Sequence, residues 1–392
     1  MTKPHQAEHL LVINLNNFDA IEAAYGAGAA DGAVDHLTHA ARRHLGRINL
    51  RGVEGGRITL TARYPLMRSQ PVERLVEKLC EALDSEPLRY EGRDILLSVS
   101  AGHATAGEGE ARARLAASSI HQGAIAIRPG DATALYRQDM AQAAALLHQV
   151  HDGTAFIRWR PVSRVENADA TLYNEAMLRR AGQTGEQTDC ATSYAALERL
   201  GLAHLIDRLL VRDVLRELEG DPAACLSVAL SPQSLSLNLH GEGAGWGELL
   251  DRLRQAPQVA RRLVIEISDH SDIILFRDAL AFVRTLRALG VRISVSRFGS
   301  GRASVGQLMA LSPDMVKLDR PFLHPAHASE RNQSRVAYLL GLARTMTSTV
   351  IVDGAGSAYP DPAFAYTQRR LPLPLTRTIT DAVQRAGQGA WR

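Results

Sequence analysis

The chain has 392 residues, of which 45% are hydrophobic, 22% are charged and only 5% are aromatic. This length favours two domains, and the composition is that of a globular protein in water. The 45 basic and 42 acidic residues are interspersed and give a formal net charge of +3, which argues against a nucleic acid or a membrane surface as the partner.

The beginning of the chain alternates short apolar strands with helices. Proline suits the first turn of a helix, and the helix expected from Pro71 places Leu75, Leu79 and Leu83 on one face. The elements expected here are, in chain order, a strand over 10–15, a helix over 29–45, a strand over 57–61, the helix from Pro71 and a strand over 94–100. Together they predict a compact α/β domain over residues 1–137.

A connecting helix over residues 138–150 leads to the remainder of the chain, residues 151–392. There, short apolar strands alternate with helices, which is the pattern of right-handed βαβ units in a parallel sheet. Four or more such units predict a (β/α)8 barrel of the TIM type, with an open doubly wound sheet as the alternative. The expected strands are 225–230, 263–267, 292–296, 315–318 and 349–352, and the clearest helices are 276–289 and 335–346.

Polar residues follow several of these strands. Each residue alone is equally consistent with a solvated loop or a helix cap. Because a barrel gathers the carboxyl ends of its strands at one face, several acids at successive strand ends favour a shared polar site. The residues concerned are Glu266, Asp269, Ser296, Arg297, Lys317, Asp319 and Asp353.

The cysteines and the amino terminus point to an intracellular protein. Cys80, Cys190 and Cys225 show neither a metal-binding spacing nor a disulfide framework. The amino terminus lacks a signal pattern, and no apolar run approaches the length of a membrane span. We therefore expect a cytoplasmic location.

The second part of the chain carries an ordered set of motifs. They are Arg160-Pro161, Glu175-Ala176-Met177-Leu178-Arg179, Leu230-Ser231-Pro232-Gln233, Glu266-Ile267-Ser268-Asp269, Phe298-Gly299-Ser300-Gly301 and Lys317-Leu318-Asp319. In order and spacing this set resembles the EAL domain, the cyclic di-GMP phosphodiesterase fold of bacteria. The resemblance covers almost all of residues 151–392 and implies the TIM-type barrel independently.

Hydrolysis in the EAL family resembles two-metal phosphodiester cleavage. By the resemblance, Glu175 and Glu266 retain ligand positions, and Lys317 retains the lysine that orients water. Ala229, Ser296, Arg297 and Gly356 replace other ligands, and Asp353 is a shortened one. We therefore expect no catalytic residues, no metal and no cofactor. The alternative is a residual phosphodiesterase that rebuilds one Mg²⁺ or Mn²⁺ site from Glu175, Glu266, Asp269 and Asp353.

Loss of the metals need not remove the ligand. The resemblance implies Arg179, Ser231, Gln233, Asp319 and Gln368 as candidate contacts to cyclic di-GMP, since arginine forks match phosphate oxygens. A cyclic di-GMP receptor and a nucleotide-free scaffold are left level by the sequence. In either case we expect a protein partner, and the family also suggests a homodimer.

The vacated metal position has a candidate occupant in Arg297. Without a cation the nearby carboxylates would repel one another and take up protons. A guanidinium is permanently charged and can pair with two acids at once. We therefore expect Arg297 to lie between Glu175 and Glu266 and to hold the pocket in a metal-free form. The alternative is that Arg297 simply points into solvent.

The first part of the chain shows a weaker set of motifs. Asn14-Leu15-Asn16-Asn17-Phe18 and Gly55-Gly56-Arg57-Ile58 resemble the first strand and the signature of a GGDEF domain. Asn14, Arg57 and Ile58 replace the acids that hold Mg²⁺ and GTP in that family, so the resemblance implies no cyclase activity. Gly55-Gly56 then predicts only a hairpin turn.

Overall fold

The structure is a computed structural model that describes residues 8–63, 72–105, 131–167, 169–182, 186–235, 246–269, 273, 276–299, 301, 303–318, 330–353, 366–368 and 376–378. The chain forms two compact units: Met1–Leu147, Ala191–Leu205 and Leu237–Glu248 make the first, and His148–Cys190, Ile206–Ser236 and Leu249–Arg392 make the second. No helix in these described ranges is both long and apolar enough to cross a bilayer.

The first unit is built on an antiparallel sheet of strand order β2-β3-β1-β6. Its elements are β1 (Glu8–Leu15), α1 (Phe18–Tyr25), α2 (Ala27–Leu45), β2 (Ile48–Glu54), β3 (Arg57–Arg63), α3 (Val72–Asp84), β4 (Leu88–Tyr90), β5 (Arg93–Ile95), β6 (Val99–Thr105), α4 (Asp131–Asp152) and α5 (Ala191–Leu200). The predicted strand 10–15 lies within β1, and the predicted helix 29–45 lies within α2. The hydrophobic side of this unit is closed by α2, which buries a row of alanines and Leu37.

The Gly55-Gly56 pair forms the predicted hairpin turn between β2 and β3. Gly55 has a φ of 54°, a conformation that residues other than glycine rarely adopt. A Cβ on Gly56 would lie 2.6 Å from the Cβ of Phe18 and 2.9 Å from the carbonyl oxygen of Leu15. The geometry of the turn therefore explains why glycine occupies both positions.

The single strand predicted over residues 94–100 is wrong. The segment is divided between β5, which pairs with β4, and β6, which pairs with β1. Between them the buried Asn17 side chain donates to the Leu96 carbonyl at 2.9 Å and accepts from the Ser98 amide at 3.0 Å. These bonds replace a sheet ladder, and so they end one strand and start the next.

The second unit is a closed barrel. Its elements are β7 (Ala155–Arg164), β8 (Thr171–Ala181), β9 (Gln187–Asp189), α6 (Ala203–Gly220), β10 (Leu226–Leu230), α7 (Pro232–Leu235), α8 (Gly247–Gln255), α9 (Pro257–Ala260), β11 (Leu263–Ser268), α10 (Phe276–Ala288), β12 (Arg292–Phe298), α11 (Val305–Ala310), β13 (Met315–Leu318), α12 (Glu330–Met346), β14 (Val350–Asp353), β15 (Tyr366–Gln368) and β16 (Thr376–Thr378). Strands pair in the order β7-β15-β14-β13-β12-β11-β10-β8, and β7 also pairs with β8, which closes the ring. The TIM-like barrel is confirmed, and the open sheet is excluded.

One strand of the barrel departs from the predicted all-parallel arrangement. β7 runs antiparallel to each of its neighbours, β8, β15 and β16, whereas the pairs from β8 through β10 to β15 are parallel. The turn from β7 to β8 occupies only the few residues between Arg164 and Thr171, too few for the crossover that a parallel pair needs.

The barrel interior contains a layer of buried side chains at one level of the strands. Its members are Val162, Tyr173, Val264, Met315 and Ile351. Side chains alternate across a strand, so residues two positions further toward the carboxyl end face the interior again. That second level contains Glu175, Glu266 and Lys317, together with Arg160 on the reversed strand β7.

Arg262, just before β11, forms hydrogen bonds with the backbone at the end of α6 and after it. Its guanidinium donates to the carbonyl oxygens of Leu218, Asp221 and Ala224 at 2.7, 2.6 and 2.9 Å. We expect Arg262→Ala to lower the free energy of unfolding by about 2 kcal/mol, because these carbonyls lose their partner. Arg254→Ala, which removes an exposed ion pair with Asp251, should cost under about 1 kcal/mol. Equal losses in chemical denaturation would contradict this role.

Asp213 on α6 is an acid whose burial is only partly offset by a neighbouring cation. Burial raises its pKa to about 6 from an ordinary 3.8, and Arg216 offsets this only in part. A raised folded-state pKa means that stability falls as pH rises from about 4 to about 6. We therefore expect Asp213→Asn to stabilise the protein by about 2 kcal/mol at pH 7.5 and little at pH 4. Asp251→Asn, in an exposed pair of the same spacing, should change the stability at pH 7.5 by under about 1 kcal/mol in thermal unfolding.

Candidate functional site

The polar level of the barrel interior brings together four charged side chains from four strands. Glu175 lies on β8, Glu266 on β11, Lys317 on β13 and Arg160 on β7. Each follows a member of the apolar layer by two positions, or precedes it on the antiparallel β7, so strand periodicity alone aims all four inward. The structure brings Glu175, Glu266 and Lys317 together.

Lys317 joins the two glutamates. Its Nζ lies 2.9 Å from Oε2 of Glu175 and 3.3 Å from Oε2 of Glu266. Arg160 Nη2 lies 3.3 Å from the same oxygen of Glu175. Glu266 is wholly buried and Lys317 is 5% exposed, so these pairs are shielded from solvent.

The two glutamates titrate in opposite directions. Burial opposes the charge on Glu175, but Lys317 and Arg160 outweigh it and lower the pKa of that carboxyl. Burial and then the charge of Glu175 raise the pKa of Glu266 above its usual value, against Lys317 and the Ser227 hydroxyl. Burial also opposes the charge on Lys317, but both glutamates raise its pKa, so the ammonium stays protonated at neutral pH.

Two hydroxyl-bearing residues complete the surroundings of Glu266. Ser227 Oγ donates to Glu266 Oε1 at 2.7 Å. Tyr173 is fully buried below the glutamates, and burial followed by the charges of Glu266 and Glu175 raises its pKa well above the usual range. Neither Ser227 nor Tyr173 was predicted from the sequence, and Arg160 was noted there only as a change in a motif. Side chains alternate between the two faces of β7, β8 and β10. Counting along these strands from the predicted site residues would have identified the missed ones.

Asp269 lies just beyond the end of β11 and is buried. Its Oδ2 accepts from the Gly299 amide and its Oδ1 from the Ala303 amide, each at 3.3 Å. A Cβ on Gly301 would overlap the Asp269 carbonyl oxygen, at 1.4 Å. This carboxylate therefore shapes the loop after β12, a role that differs from the metal ligand considered from the sequence.

The expectation that Arg297 lies between the glutamates is wrong. Arg297 is exposed, and in the described part of the chain Lys317 and Arg160 make the ion pairs with Glu175 and Glu266. The reason is a bulge in β12, where Ser296 and Arg297 together oppose Lys317 and Arg297 adopts a φ of 57°. A bulge turns a side chain out of its expected direction.

The candidate ligand residues are distributed around the carboxyl ends of β8 and β10. Arg179 lies near the end of β8, with Nη1 3.9 Å from Asp189 Oδ2. Ser231 is buried, and its amide donates to Asp207 Oδ2 at 2.9 Å. Gln233 is half-buried in α7. Asp319 and Gly356 lie outside the described residues, and of Asp353 and Gln368 only the backbone is described, at the ends of β14 and β15.

The two retained glutamates share an ammonium group as their partner. The family's metal positions need several carboxylates facing a common point. Here an ammonium group lies at hydrogen-bonding distance from both retained glutamates, and the Ala229 side chain on β10 has no atom that could bind a metal. No group of three His, Cys, Asp or Glu side chains converges on a metal position within the described ranges.

A second pair of substituted positions meets in the first unit. Asn14 and Arg57 are register partners on β1 and β3, and Arg57 Nε donates to Asn14 Oδ1 at 3.2 Å. Both stand where the GGDEF resemblance expects acids. An amide and a guanidinium that bind each other leave no carboxylate at this point for a Mg²⁺ ion.

Comparison with known proteins agrees with the barrel. Over 363 residues the chain is 23% identical to the uncharacterised protein y4lL of Sinorhizobium fredii, which covers 88% of this chain and 42% of that protein. It is 23% identical over 301 residues to the cyclic di-GMP phosphodiesterase NbdA of Pseudomonas aeruginosa, covering 72% of this chain and 36% of that protein. The chain thus spans less than half the length of these curated relatives.

A solved structure extends the likeness to nearly the whole chain. The S helix-GGDEF-EAL portion of Vibrio cholerae LapD in its apo form matches with a TM-score of 0.51 and 14% identity, over 93% of this chain and 88% of that one. This likeness concerns the fold. The model of the EAL domain matches residues 143–358, more than half of the chain. The chain therefore belongs to the EAL domain family of cyclic di-GMP signalling.

Proposed function

We propose that this EAL protein is a cyclic di-GMP receptor that does not hydrolyse its ligand and that passes the signal to a protein partner. The observation that carries the proposal is the Lys317 ammonium between Glu175 and Glu266. In this arrangement a cation of the protein pairs with the two carboxylates on which metal binding depends.

The argument against hydrolysis is electrostatic. Two-metal cleavage uses divalent cations to polarise the phosphate and to generate hydroxide. An ammonium group can pair with a carboxylate, but it does not lower the pKa of a bound water as a metal does. A divalent cation would also have to displace Lys317, whose charge is already stabilised by both acids. The site therefore favours binding over cleavage.

The argument for a ligand rests on the residues around the site. Arg179 and Ser231 keep family positions at the ends of β8 and β10. NbdA, which the chain resembles, is a cyclic di-GMP phosphodiesterase. Arg179 Nε is buried and has no hydrogen-bond partner within the described residues, so the guanidinium has a donor to offer. These observations favour the receptor over the scaffold.

The first unit is proposed to be a GGDEF-like domain without cyclase activity, within the predicted bounds 1–137. The likeness in fold to the LapD GGDEF-EAL structure supports this, as does the Asn14–Arg57 hydrogen bond. The connecting helix 138–150, the homodimer and the cytoplasmic location belong to the same proposal.

Calorimetric titration of the full chain with cyclic di-GMP tests the receptor. We expect saturable binding, which Arg179→Ala weakens. No heat and no saturation would instead support the nucleotide-free scaffold.

A separate incubation with Mn²⁺ tests the residual phosphodiesterase, the candidate favoured by the retention of Glu175 and Glu266 side by side. We expect cyclic di-GMP to stay intact. Metal-dependent formation of linear pGpG that Glu175→Ala abolishes would establish the enzyme instead.

A further inference from the structure

Strand β2 forms one edge of the four-stranded sheet in the first unit. In the described part of the chain it pairs with β3 alone. All of residues 49–54 are exposed, and a Cβ on Gly52 would meet no atom within 4 Å. An edge strand directs part of its backbone N–H and C=O groups away from its neighbour. A second extended chain can therefore add to this edge by main-chain hydrogen bonds.

Two large apolar side chains at this edge lie on a face of the sheet that is buried elsewhere. Leu50 and Val53 are 39% and 46% exposed, whereas their register partners Leu60 and Ile58 are fully buried. Cross-strand partners project on the same face. Residues at odd spacing face opposite sides of a regular strand, and the bulge between Leu50 and Gly52 brings both side chains onto one face. The apolar face of the sheet thus extends to the exposed edge.

The same edge is strongly basic. Residues 42–53 contain no acid and four exposed arginines, which are Arg42, Arg43, Arg47 and Arg51. Arg43 pairs with Glu86, but within the described residues the other three have no acidic partner. The next acid along the chain, Glu54, lies opposite Arg57 in the ladder. An anionic group that approaches β2 therefore meets arginines whose charge is largely unpaired.

We propose that the edge of β2 is the docking site for an extended acidic segment of a protein partner, which pairs with β2 as an additional strand. Its apolar side chains pack on Leu50 and Val53, and its carboxylates pair with Arg47 and Arg51. The inference rests on the proposed function only for the existence of a protein partner, and it adds where that partner binds and what chemistry it presents.

The charge of the edge decides between possible occupants. Antiparallel pairing of β2 with the β2 of a second copy would bring two sets of arginines together, and like charges across a strand pair are destabilising. Charges and bulges at an edge commonly prevent such self-association. A nucleic acid would use the arginines but would leave Leu50 and Val53 exposed. An acidic strand satisfies the arginines, the apolar side chains and the backbone edge together.

The test is fluorescence anisotropy of a labelled synthetic peptide of alternating glutamate and valine, about ten residues long, which is enough to cover a strand. The full chain is titrated into the peptide without cyclic di-GMP. We expect saturable binding with a Kd on the order of 100 μM that weakens as NaCl is added. A peptide with lysine in place of glutamate should not bind, and neither should one whose alternate amides are N-methylated.

Variants of β2 assign the binding to its residues. The double variant Arg47→Gln/Arg51→Gln should raise the Kd about tenfold, since each surface ion pair accounts for about threefold. Leu50→Ala/Val53→Ala should raise it about fivefold through lost apolar contact. The matched controls are Arg254→Gln, an exposed arginine of the barrel unit, and Leu135→Ala, a side chain on α4 that is 49% exposed. Both should leave the Kd unchanged, and thermal unfolding checks that all variants fold.

The other outcomes overturn the proposal. They are a lack of saturation, equal binding of the lysine or N-methylated peptide, and binding that the β2 variants do not weaken. Dimerisation in sedimentation velocity that Leu50→Asp/Val53→Asp abolishes would assign the edge to a second copy instead. Tighter binding of an oligothymidylate to the same arginines would assign it to nucleic acid. Because the titration contains no cyclic di-GMP, its failure leaves the receptor proposal to its own calorimetric test.

Discussion

Replacing Lys317 by methionine is expected to destabilise the barrel unit by about 3–5 kcal/mol, because it leaves two buried carboxylates without their shared cation. The side chain of Lys317 is 6% exposed, and that of Glu266 is 1% exposed. Lys317 lowers the pKa of both carboxyls in the wild type, so both pKa values should rise in the variant, which should lose stability as pH rises and regain part of it in mild acid. Chemical denaturation at several pH values measures this effect.

Two further variants test whether the loss of stability comes from uncompensated charge. Adding Glu175→Gln and Glu266→Gln to Lys317→Met removes the uncompensated charges and should restore much of the stability. Lys78→Met applies the same change to an exposed lysine on α3 and should cost under about 0.5 kcal/mol. A loss below about 1 kcal/mol for Lys317→Met would show that the ion pairs are not formed as described.

Asp84→Ala is expected to have the second largest effect, a loss of about 3 kcal/mol from the first unit. Asp84 is 2% exposed, and its Oδ1 accepts from the Val99 amide at 2.6 Å. Its Oδ2 lies 3.3 Å from Nε2 of the buried His204, which belongs to the same unit. The substitution therefore removes the partner of a buried amide and of a buried imidazole together.

Glu86→Ala is the control for this prediction. Glu86 lies two residues further along and pairs with Arg43 at the surface, so its loss should cost under about 1 kcal/mol. Similar denaturation midpoints for the two variants would contradict a structural role for Asp84. His204→Ala should reproduce part of the Asp84→Ala loss, since it removes one of the two contacts.

The sequence predicted the site where the chemistry follows strand periodicity. Glu175, Glu266 and Lys317 lie at equivalent positions of separate strands, and the alternation of buried and polar residues is visible in the sequence. Arg160 was missed as a member because no strand was predicted over the residues of β7, Ala155–Arg164. A pattern of apolar and polar residues does not carry strand direction, and only the short β7–β8 connection reveals it.

The errors at Arg297 and Asp269 have a different origin. Arg297 was placed inward because the resemblance puts it at a metal-ligand position, but the bulge in β12 turns its side chain away. Asp269 was grouped with the glutamates because it follows the same strand, but backbone amides of the next loop bind it first. Bulges and loop amides depend on tertiary contacts, which single-strand patterns do not encode.

The most direct test of the central claim is phosphorus NMR of cyclic di-GMP, recorded while the full chain is added in the presence of Mg²⁺. A receptor without hydrolytic activity predicts that the phosphodiester resonance shifts or broadens with protein and that no phosphomonoester resonance appears on prolonged incubation. A phosphomonoester resonance that grows with time, needs Mg²⁺ and is lost in Glu175→Ala would contradict the claim.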